Sequence, residues 1–140
     1  MRAALGRLPL WAAAFWWGSL TTIGFLVVPL LFAYLPTPAM AGTLAARLFT
    51  AETWVSVVCT VLLLLVSRSR AVEDGGETSL QAVRVYVIGG LLLALLVEFG
   101  VAPRIVAREN LALWHRVGSA MYFLQWGCAA VTLWRLGPKR

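Results

Sequence analysis

The sequence predicts an all-α fold, an integral membrane four-helix bundle built from two tandem helical hairpins. Of the 140 residues, 61% are hydrophobic and only 13% are charged, and the mean hydropathy is +0.82. Soluble domains carry about 25% charged residues, so this chain has too little polar surface to cover a water-soluble globule. Its length allows one domain of four membrane spans, residues 1–140.

A short motif occurs once in each half of the chain. Residues 25–29 (FLVVP) and residues 99–103 (FGVAP) both follow the pattern Phe-x-Val-x-Pro at the end of a hydrophobic run. This repetition indicates a duplicated helical hairpin. We expect the two hairpins to share one membrane orientation and to be related by a pseudo-two-fold axis along the membrane normal.

The first helix is predicted at about residues 8–35. It follows Arg2 and Arg7 and therefore resembles a signal peptide, but its apolar run is about twice the 7 to 15 residues of a signal core. About 20 apolar residues already cross a bilayer, so the sequence predicts a retained first span. Pro29 should kink it and free a backbone carbonyl near Phe25.

The second helix is predicted at about residues 38–66. Thr37 can cap it, and Pro38 suits the first helical position. The apolar core from residue 54 to residue 66 is too short to cross a bilayer alone. The preceding segment, which contains Arg47 and Glu52, must therefore enter the membrane or its interface.

The second hairpin is predicted to follow a soluble-looking loop at residues 67–79. Thr78 and Gln81 form a capping-box pattern, which places the third helix at about residues 79–107. Asn110 can cap the fourth helix, predicted at about residues 111–134.

Lysine and arginine residues are unevenly distributed about the predicted spans. Cytoplasmic flanks collect these residues, and eight lie on the side of the chain termini against four on the other, which predicts that both termini are cytoplasmic. The first side holds Arg2, Arg7, Arg68, Arg70, Arg84, Arg135, Lys139 and Arg140, and the second holds Arg47, Arg104, Arg108 and Arg116.

The net charge of +6 is better explained by this topology than by a nucleic-acid partner. No basic face can be assembled while the intervening residues lie in lipid. The expected partners are the lipid bilayer and, as a further prediction, a second copy in a homo-oligomer.

The predicted threading brings polar residues of three helices to similar depths in the outer half of the membrane. A charge in hydrocarbon costs at least about 2.5 to 3.5 kcal/mol, so each carboxylate should face the interior and find an arginine, a histidine or a proton. We call this set the candidate polar cluster; its members are Arg47, Glu52, Glu98, Arg104, His115, Arg116, Ser119 and Tyr122.

Two interpretations of the candidate polar cluster remain open. In the structural one, the arginines neutralise Glu52 and Glu98 and pin the helices together. In the functional one, the cluster lines a wet cavity that binds or relays a small ion, a proton or a lipid headgroup. Buried salt bridges are costly with or without a function, so their presence alone does not distinguish the structural from the functional interpretation.

Other classes of function follow from weaker signals. A structural or assembly protein acting through helix contacts is one alternative, and a haem- or copper-linked redox protein is another. Cys59 and Cys128 lie at similar predicted depths, where a Cu(I) pair is conceivable, but buried hydrophobic roles are the default. His115 is the only histidine, which excludes bis-His haem ligation within one chain. The sequence has no Walker A, Gly-x-Ser-x-Gly, His-Glu-x-x-His or Cys-x-x-Cys motif, so neither an enzyme nor a bound cofactor or metal is predicted.

Short motifs in both halves resemble a known family of small membrane proteins. They are Trp17-Gly18-Ser19, Gly24-Phe25, residues 28–32 (VPLLF), Ala41-Gly42, Leu48-Phe49, Ala102-Pro103, and Trp114-His115-Arg116 with Ser119. This pattern is similar to the domain-of-unknown-function 4149 family, which is similar in turn to the eukaryotic transmembrane protein 205 group. The resemblance implies a four-helix bacterial inner-membrane protein without an assigned activity. The architecture is also distantly similar to copper-resistance membrane proteins, although His and Met are scarce here.

Overall fold

The computed structural model describes residues 2–74 and 79–137, and all of the regular structure in these ranges is helical. This confirms the prediction of an all-α fold. The elements form four continuous helical segments, which we call rods and number in chain order. The first rod is α1 (Arg2–Thr22), a π-helical turn (Ile23–Val27) and α2 (Val28–Tyr34), and the second is α3 (Pro38–Asp74). The third is α4 (Ser79–Leu96), a second π-helical turn (Val97–Val101) and α5 (Ala102–Val106), and the fourth is α6 (Leu111–Leu136).

Each rod packs against two others. Helix α1 contacts α3 and α6, and α4 also contacts α3 and α6, so the four rods surround a common interior. The apolar core occupies the part of this interior nearer the chain termini, where Trp16, Leu20, Leu63 and Val87 are buried. We call the other end, with the connections at residues 35–37 and 107–110, the turn end.

Three of the helical segments in the described part of the chain are long and apolar enough to cross a membrane. They are Arg7–Tyr34, Pro38–Arg68 and Val83–Val106. Helix α6 is not among them, although its 26 residues reach about 39 Å. It carries His115, Arg116 and Gln125 within its length. Composition and helix length therefore indicate a membrane protein.

The repeated motif produces the same backbone feature in both halves. Each π-helical turn ends two residues before the proline of the motif, at Pro29 and at Pro103. The N–H of Val28 bonds to the carbonyl of Ile23, and the N–H of Ala102 bonds to that of Val97. These bonds span five residues instead of four, as in a π-helix. A π-helical turn therefore precedes Pro29, where the sequence predicted a kink, and the second motif has the same turn before Pro103.

Two predicted helix boundaries were wrong. Helix α3 continues to Asp74, so the segment from residue 67 is helical and Ser67 is buried. Residues 67–74 contain neither Gly nor Pro, and the first helix-breaking pair is Gly75-Gly76. Helix α1 begins at Arg2 and not near residue 8. The rest of the predicted loop, including the capping residue Thr78, lies outside the described residues.

The two predicted caps behave differently. At the start of α3, the hydroxyl of Thr37 accepts a hydrogen bond from the N–H of Met40 at 3.3 Å, which confirms the first cap. Asn110 occupies the cap position of α6, but its side chain makes no capping bond. Its backbone is left-handed, with φ of 38°, and its carbonyl accepts from Leu113 and Trp114 instead. The predicted side-chain cap at Asn110 was therefore wrong.

Candidate functional site

Glu52 is a carboxylic acid buried near the middle of an apolar segment. Its side chain is only 2% exposed. At 1.5 Å per residue it lies about 21 Å from Pro38 and about 24 Å from Arg68, the two ends of the segment. A carboxyl group so far from either end is costly unless a proton or a partner satisfies it.

The two oxygens of Glu52 have different surroundings. The hydroxyl of Ser19 on α1 donates to Oε1 at 2.9 Å, and the hydroxyl of Ser56 on α3 approaches the same atom at 3.5 Å. Oε2 is buried and has no hydrogen-bond partner. Such an unpaired acceptor in a low-dielectric interior requires an explanation.

Ser56 connects Glu52 to a second residue of α1 and to α6. Its Oγ accepts hydrogen bonds from the indole Nε1 of Trp16 at 3.0 Å and from the amide Nε2 of Gln125 at 2.9 Å. Because both of these contacts use Ser56 as an acceptor, its own hydrogen is left for Glu52. We call this group the Glu52 network; its members are Trp16, Ser19, Glu52, Ser56 and Gln125.

The carboxylates of Glu52 and Glu98 have no cationic partner among the side chains that the structure describes. Within residues 7–68 and 83–137, no arginine or histidine nitrogen forms an ion pair with either of them. The structural interpretation required arginines that neutralise both carboxylates, and the described residues do not form these ion pairs. Glu98 is half-buried in the second π-helical turn and instead accepts a hydrogen bond from the hydroxyl of Thr50 at 2.9 Å.

Tyr122 is the second predicted residue that faces the interior. Its hydroxyl donates to the carbonyl of Leu20 at 2.7 Å. Its ring packs edge-on against Phe49, with 5.3 Å between the centroids. A Cβ at Gly24, in the first π-helical turn, would lie only 2.5 Å from this ring. The absence of a side chain at Gly24 therefore makes room for Tyr122.

The remaining members of the candidate polar cluster lie on the surface towards the turn end. The guanidinium of Arg104 stacks over the Trp114 ring at 4.4 Å from its centroid. In the described part of the chain, no hydrogen bond or ion pair joins any two members of the cluster to each other. Ligand binding by the cluster as a whole stays a prediction. The exposed members are Arg47, Arg104, His115, Arg116 and Ser119.

Four members of the Glu52 network, Trp16, Ser19, Ser56 and Gln125, were not among the site residues predicted from the sequence. Ser56 follows Glu52 by four residues and so lies on the same helix face, and Gln125 interrupts an apolar run; both were available signals. The hydrogen bond from Trp16 to Ser56 depends on how the helices pack, which a single sequence does not show.

The possible metal ligands are the two cysteines, Glu52, Glu98 and His115. Cys59 is buried and Cys128 is half-buried, and both are free thiols. Within the described residues, no three His, Cys, Asp or Glu side chains come together as metal ligands, so Glu52, Glu98 and His115 do not form such a group.

The rods and the Glu52 network define a class of protein, a small all-helical protein of membrane-like composition with an acidic polar network in its interior. The chain belongs to the family described as a domain of unknown function, DUF4149, whose model matches residues 11–112. The match includes both copies of the repeated motif and Glu52, and it ends before the Trp114–Ser119 stretch. Neither the curated proteins nor the solved structures include a match to this chain.

Proposed function

We propose that this protein is a membrane protein that binds and releases a proton at Glu52, and that its activity depends on this exchange. The observation that carries the proposal is the position of the Ser19 hydroxyl. Its Oγ lies 2.9 Å from Oε1 of Glu52 and 3.0 Å from the carbonyl oxygen of Trp16. A serine hydroxyl has only one hydrogen to donate, so it cannot serve both acceptors at once.

A proton on Glu52 resolves this conflict. If Oε1 is protonated, it donates to Ser19 Oγ, and Ser19 then donates its own hydrogen to the carbonyl of Trp16. The Glu52–Ser19 contact and the Ser19–Trp16 contact then each contain one hydrogen. When the proton leaves, Ser19 must turn its hydrogen to the carboxylate and release the carbonyl. The geometry therefore supports two hydrogen-bond arrangements that differ by one proton.

A proton fits this site better than a metal cation. Hard cations such as Ca²⁺ take 6 to 8 oxygen ligands, whereas within the described residues the Glu52 carboxylate is approached by two hydroxyl groups, those of Ser19 and Ser56. The Oγ of Ser56 already accepts from Trp16 and Gln125, so its lone pairs are not free for a metal. A proton needs only one oxygen acceptor.

We further propose that the protein lies in a bacterial inner membrane with both termini in the cytoplasm, that α6 serves as a fourth span, and that the protein is not an enzyme. The excess of Lys and Arg on the side of the termini supports the orientation. The packing of α6 against α1 and α4 supports the fourth span.

Infrared difference spectroscopy of the purified protein tests the proposal. We expect a carbonyl stretching band of a protonated carboxylic acid at mildly acidic pH that disappears at alkaline pH. Glu52→Gln should abolish this band. Ser19→Ala should keep the band and shift its frequency, because the acid loses its hydrogen-bond acceptor. Glu109→Gln, at an exposed carboxylate, is the matched control and should leave the band unchanged.

Three results would contradict the proposal. The band could be absent at every pH, it could persist at every pH, or Glu98→Gln could remove it in place of Glu52→Gln. The last result would place the proton on the half-buried carboxylate of the second π-helical turn.

A structural role for the Glu52 network is the second candidate. The observation in its favour is that three hydrogen bonds of the network join α3 to α1 and α6, and a fourth joins Ser56 to Glu52 within α3. Glu52→Gln keeps a side chain that mimics the neutral acid, so under the proton proposal the folded amount in membranes should not change. A large loss of folded protein in this variant, without a titrating band in the wild type, would favour the structural role.

A further inference from the structure

The interior around Glu52 is packed unevenly along the axis of the bundle. Towards the chain termini, the core contains large side chains that are fully buried, and Leu63 on α3 is still only 2% exposed about 16 Å beyond Glu52. Towards the turn end, the buried hydrophobic residues of the described chain are only Ala41, Ala45 and Val101. Water therefore meets a thick apolar core on the side of the termini and a much thinner barrier at the turn end.

The buried hydroxyl groups on the side of the termini do not extend the Glu52 network. Thr60 and Thr132 are completely buried. Thr60 donates to the carbonyl of Ser56 at 2.7 Å, and Thr132 donates to the carbonyl of Cys128 at 2.8 Å. Each hydroxyl has one hydrogen, and here that hydrogen bonds to the backbone. In the described part of the chain, neither hydroxyl bonds to a side-chain oxygen of the Glu52 network, so no chain of hydroxyls leads from it to the termini.

A pair of aromatic rings lies between the Glu52 network and the turn end. Helices α3 and α6 both begin at the turn end, and Phe49 precedes Glu52 on α3 by three residues, or about 4.5 Å. On α6, Tyr122 precedes Gln125 by the same three residues. The rings of Phe49 and Tyr122 meet edge-on, and the Tyr122 ring also lies against Gly24. Both aromatic residues are only half-buried, so this layer is thin and partly open to its surroundings.

We propose that Glu52 exchanges its proton with the turn end of the molecule, and that the ring of Tyr122 is the barrier that sets the rate of this exchange. The inference rests on the proposed function, in which Glu52 is a proton site. When the ring moves away from Phe49, water reaches the carboxylic acid. The O–H bond of the acid then breaks, and its proton passes to that water. With the termini in the cytoplasm, the exchange takes place with the side away from the cytoplasm.

The ring of Tyr122 forms the barrier, and its hydroxyl does not carry the proton. That hydroxyl donates its one hydrogen to the carbonyl of Leu20. The other titratable side chains of the described interior are Cys59 on α3, Cys128 on α6 and Glu98 in the second π-helical turn, and α1 offers none. Every arginine whose side chain is described is exposed, as is the histidine of α6. Glu98 is therefore the one other interior acid, and Glu98→Gln separates its band from that of Glu52.

A pH jump followed by time-resolved infrared spectroscopy of the purified full chain tests this barrier. The measured quantity is the rate at which the protonated-acid band of Glu52 disappears after a jump from mildly acidic to alkaline pH. Tyr122→Ala should raise this rate about tenfold, because it removes the aromatic contact and the hydroxyl bond that hold the barrier closed. Tyr122→Phe keeps the ring and should change the rate by less than about threefold. Phe49→Ala opens the same barrier from α3 and should raise the rate about fivefold.

Leu63→Ala is the matched control, since it removes a large buried side chain on the side of the termini and loosens the core there. It should leave the exchange rate unchanged. An equal rise in Leu63→Ala, or an unchanged rate in the folded Tyr122→Ala or Phe49→Ala variant, would overturn the inference. A rise in Tyr122→Phe as large as that in Tyr122→Ala would also overturn it, because the hydroxyl and not the ring would then control the exchange. A wild-type band that is absent or does not titrate would instead overturn the proposed function, and this inference with it.

Discussion

Replacing Gly90 with alanine should destabilise the protein, because this glycine lies against the ring of Trp16. A Cβ at Gly90 would be 2.5 Å from Cη2 and 2.6 Å from Cζ2 of that ring, where ordinary contacts are 3.4–4 Å. The ring must therefore move by about 1 Å. It is completely buried, and its Nε1 is held by the 3.0 Å hydrogen bond to Ser56. Moving the ring thus disturbs the Glu52 network.

The neighbouring glycine supplies a control that makes the magnitude measurable. A Cβ at Gly89 would meet only the Sγ of Cys128, at 3.9 Å, which is an ordinary contact. Both substitutions gain about 1 kcal/mol of helix propensity, so this gain cancels when the two are compared. Overpacking costs about 1 to 3 kcal/mol, and a weakened hydrogen bond costs about 1 kcal/mol. Gly90→Ala should therefore be less stable than Gly89→Ala by about 2 to 4 kcal/mol.

The difference can be measured by reversible unfolding in mixed detergent micelles, followed by tryptophan fluorescence. We expect a lower unfolding midpoint for Gly90→Ala than for the wild type, and a midpoint for Gly89→Ala that is equal or higher. Equal stability of the two variants would refute the close packing of Trp16 on α4. It would also weaken the case that Trp16 holds Ser56 in place.

Two further substitutions test individual hydrogen bonds by the same unfolding measurement. Ser56→Ala removes the acceptor of both Trp16 and Gln125 and should lower the free energy of unfolding by about 1 to 3 kcal/mol, since buried donors are left unpaired; no change would mean that these donors have other partners. Tyr122→Phe removes only the hydroxyl that donates to the carbonyl of Leu20 and should cost about 0.6 kcal/mol, the average for hydrogen bonds between membrane helices. A cost for Tyr122→Phe larger than that for Ser56→Ala would contradict the order of importance proposed for the two contacts.

Most of the fold could be predicted from the sequence, because a lipid environment requires long apolar helices whose backbone groups are hydrogen-bonded internally. The helices occur close to where three local features of the sequence place them. These features are the long apolar runs, the Thr37-Pro38 start of α3 and the repeated motif. The end of α3 was misjudged because charged residues at 67–74 suggested a loop. Charge alone does not end a helix when neither Gly nor Pro is present.

The candidate site could be predicted only in part. Hydrogen bonds between helices depend on how each helix is rotated about its axis, and the sequence does not give this rotation. Insertion energetics correctly singled out Glu52 as a carboxylic acid that must face the interior. The same reasoning expected an arginine, a histidine or a proton as its partner, and no cationic side chain pairs with it in the described chain. Instead its contacts are the hydroxyls of Ser19 and Ser56. Ser56 follows Glu52 by four residues, which was an available signal. Ser19 lies on a different helix, and no sequence pattern marks it as a partner of Glu52.

The duplicated π-helical turns show how one backbone feature can serve two purposes. Gly24 and Glu98 occupy the same position in the two copies, each five residues before the proline. In the first copy, the absence of a side chain lets Tyr122 pack against the helix. In the second copy, the same position carries a carboxylate that Thr50 on α3 holds by a hydrogen bond. Each π-helical turn is held by a hydrogen bond that spans five residues. The two halves of the chain therefore share this backbone feature, while the matched position serves aromatic packing in the first copy and carries a hydrogen-bonded acid in the second.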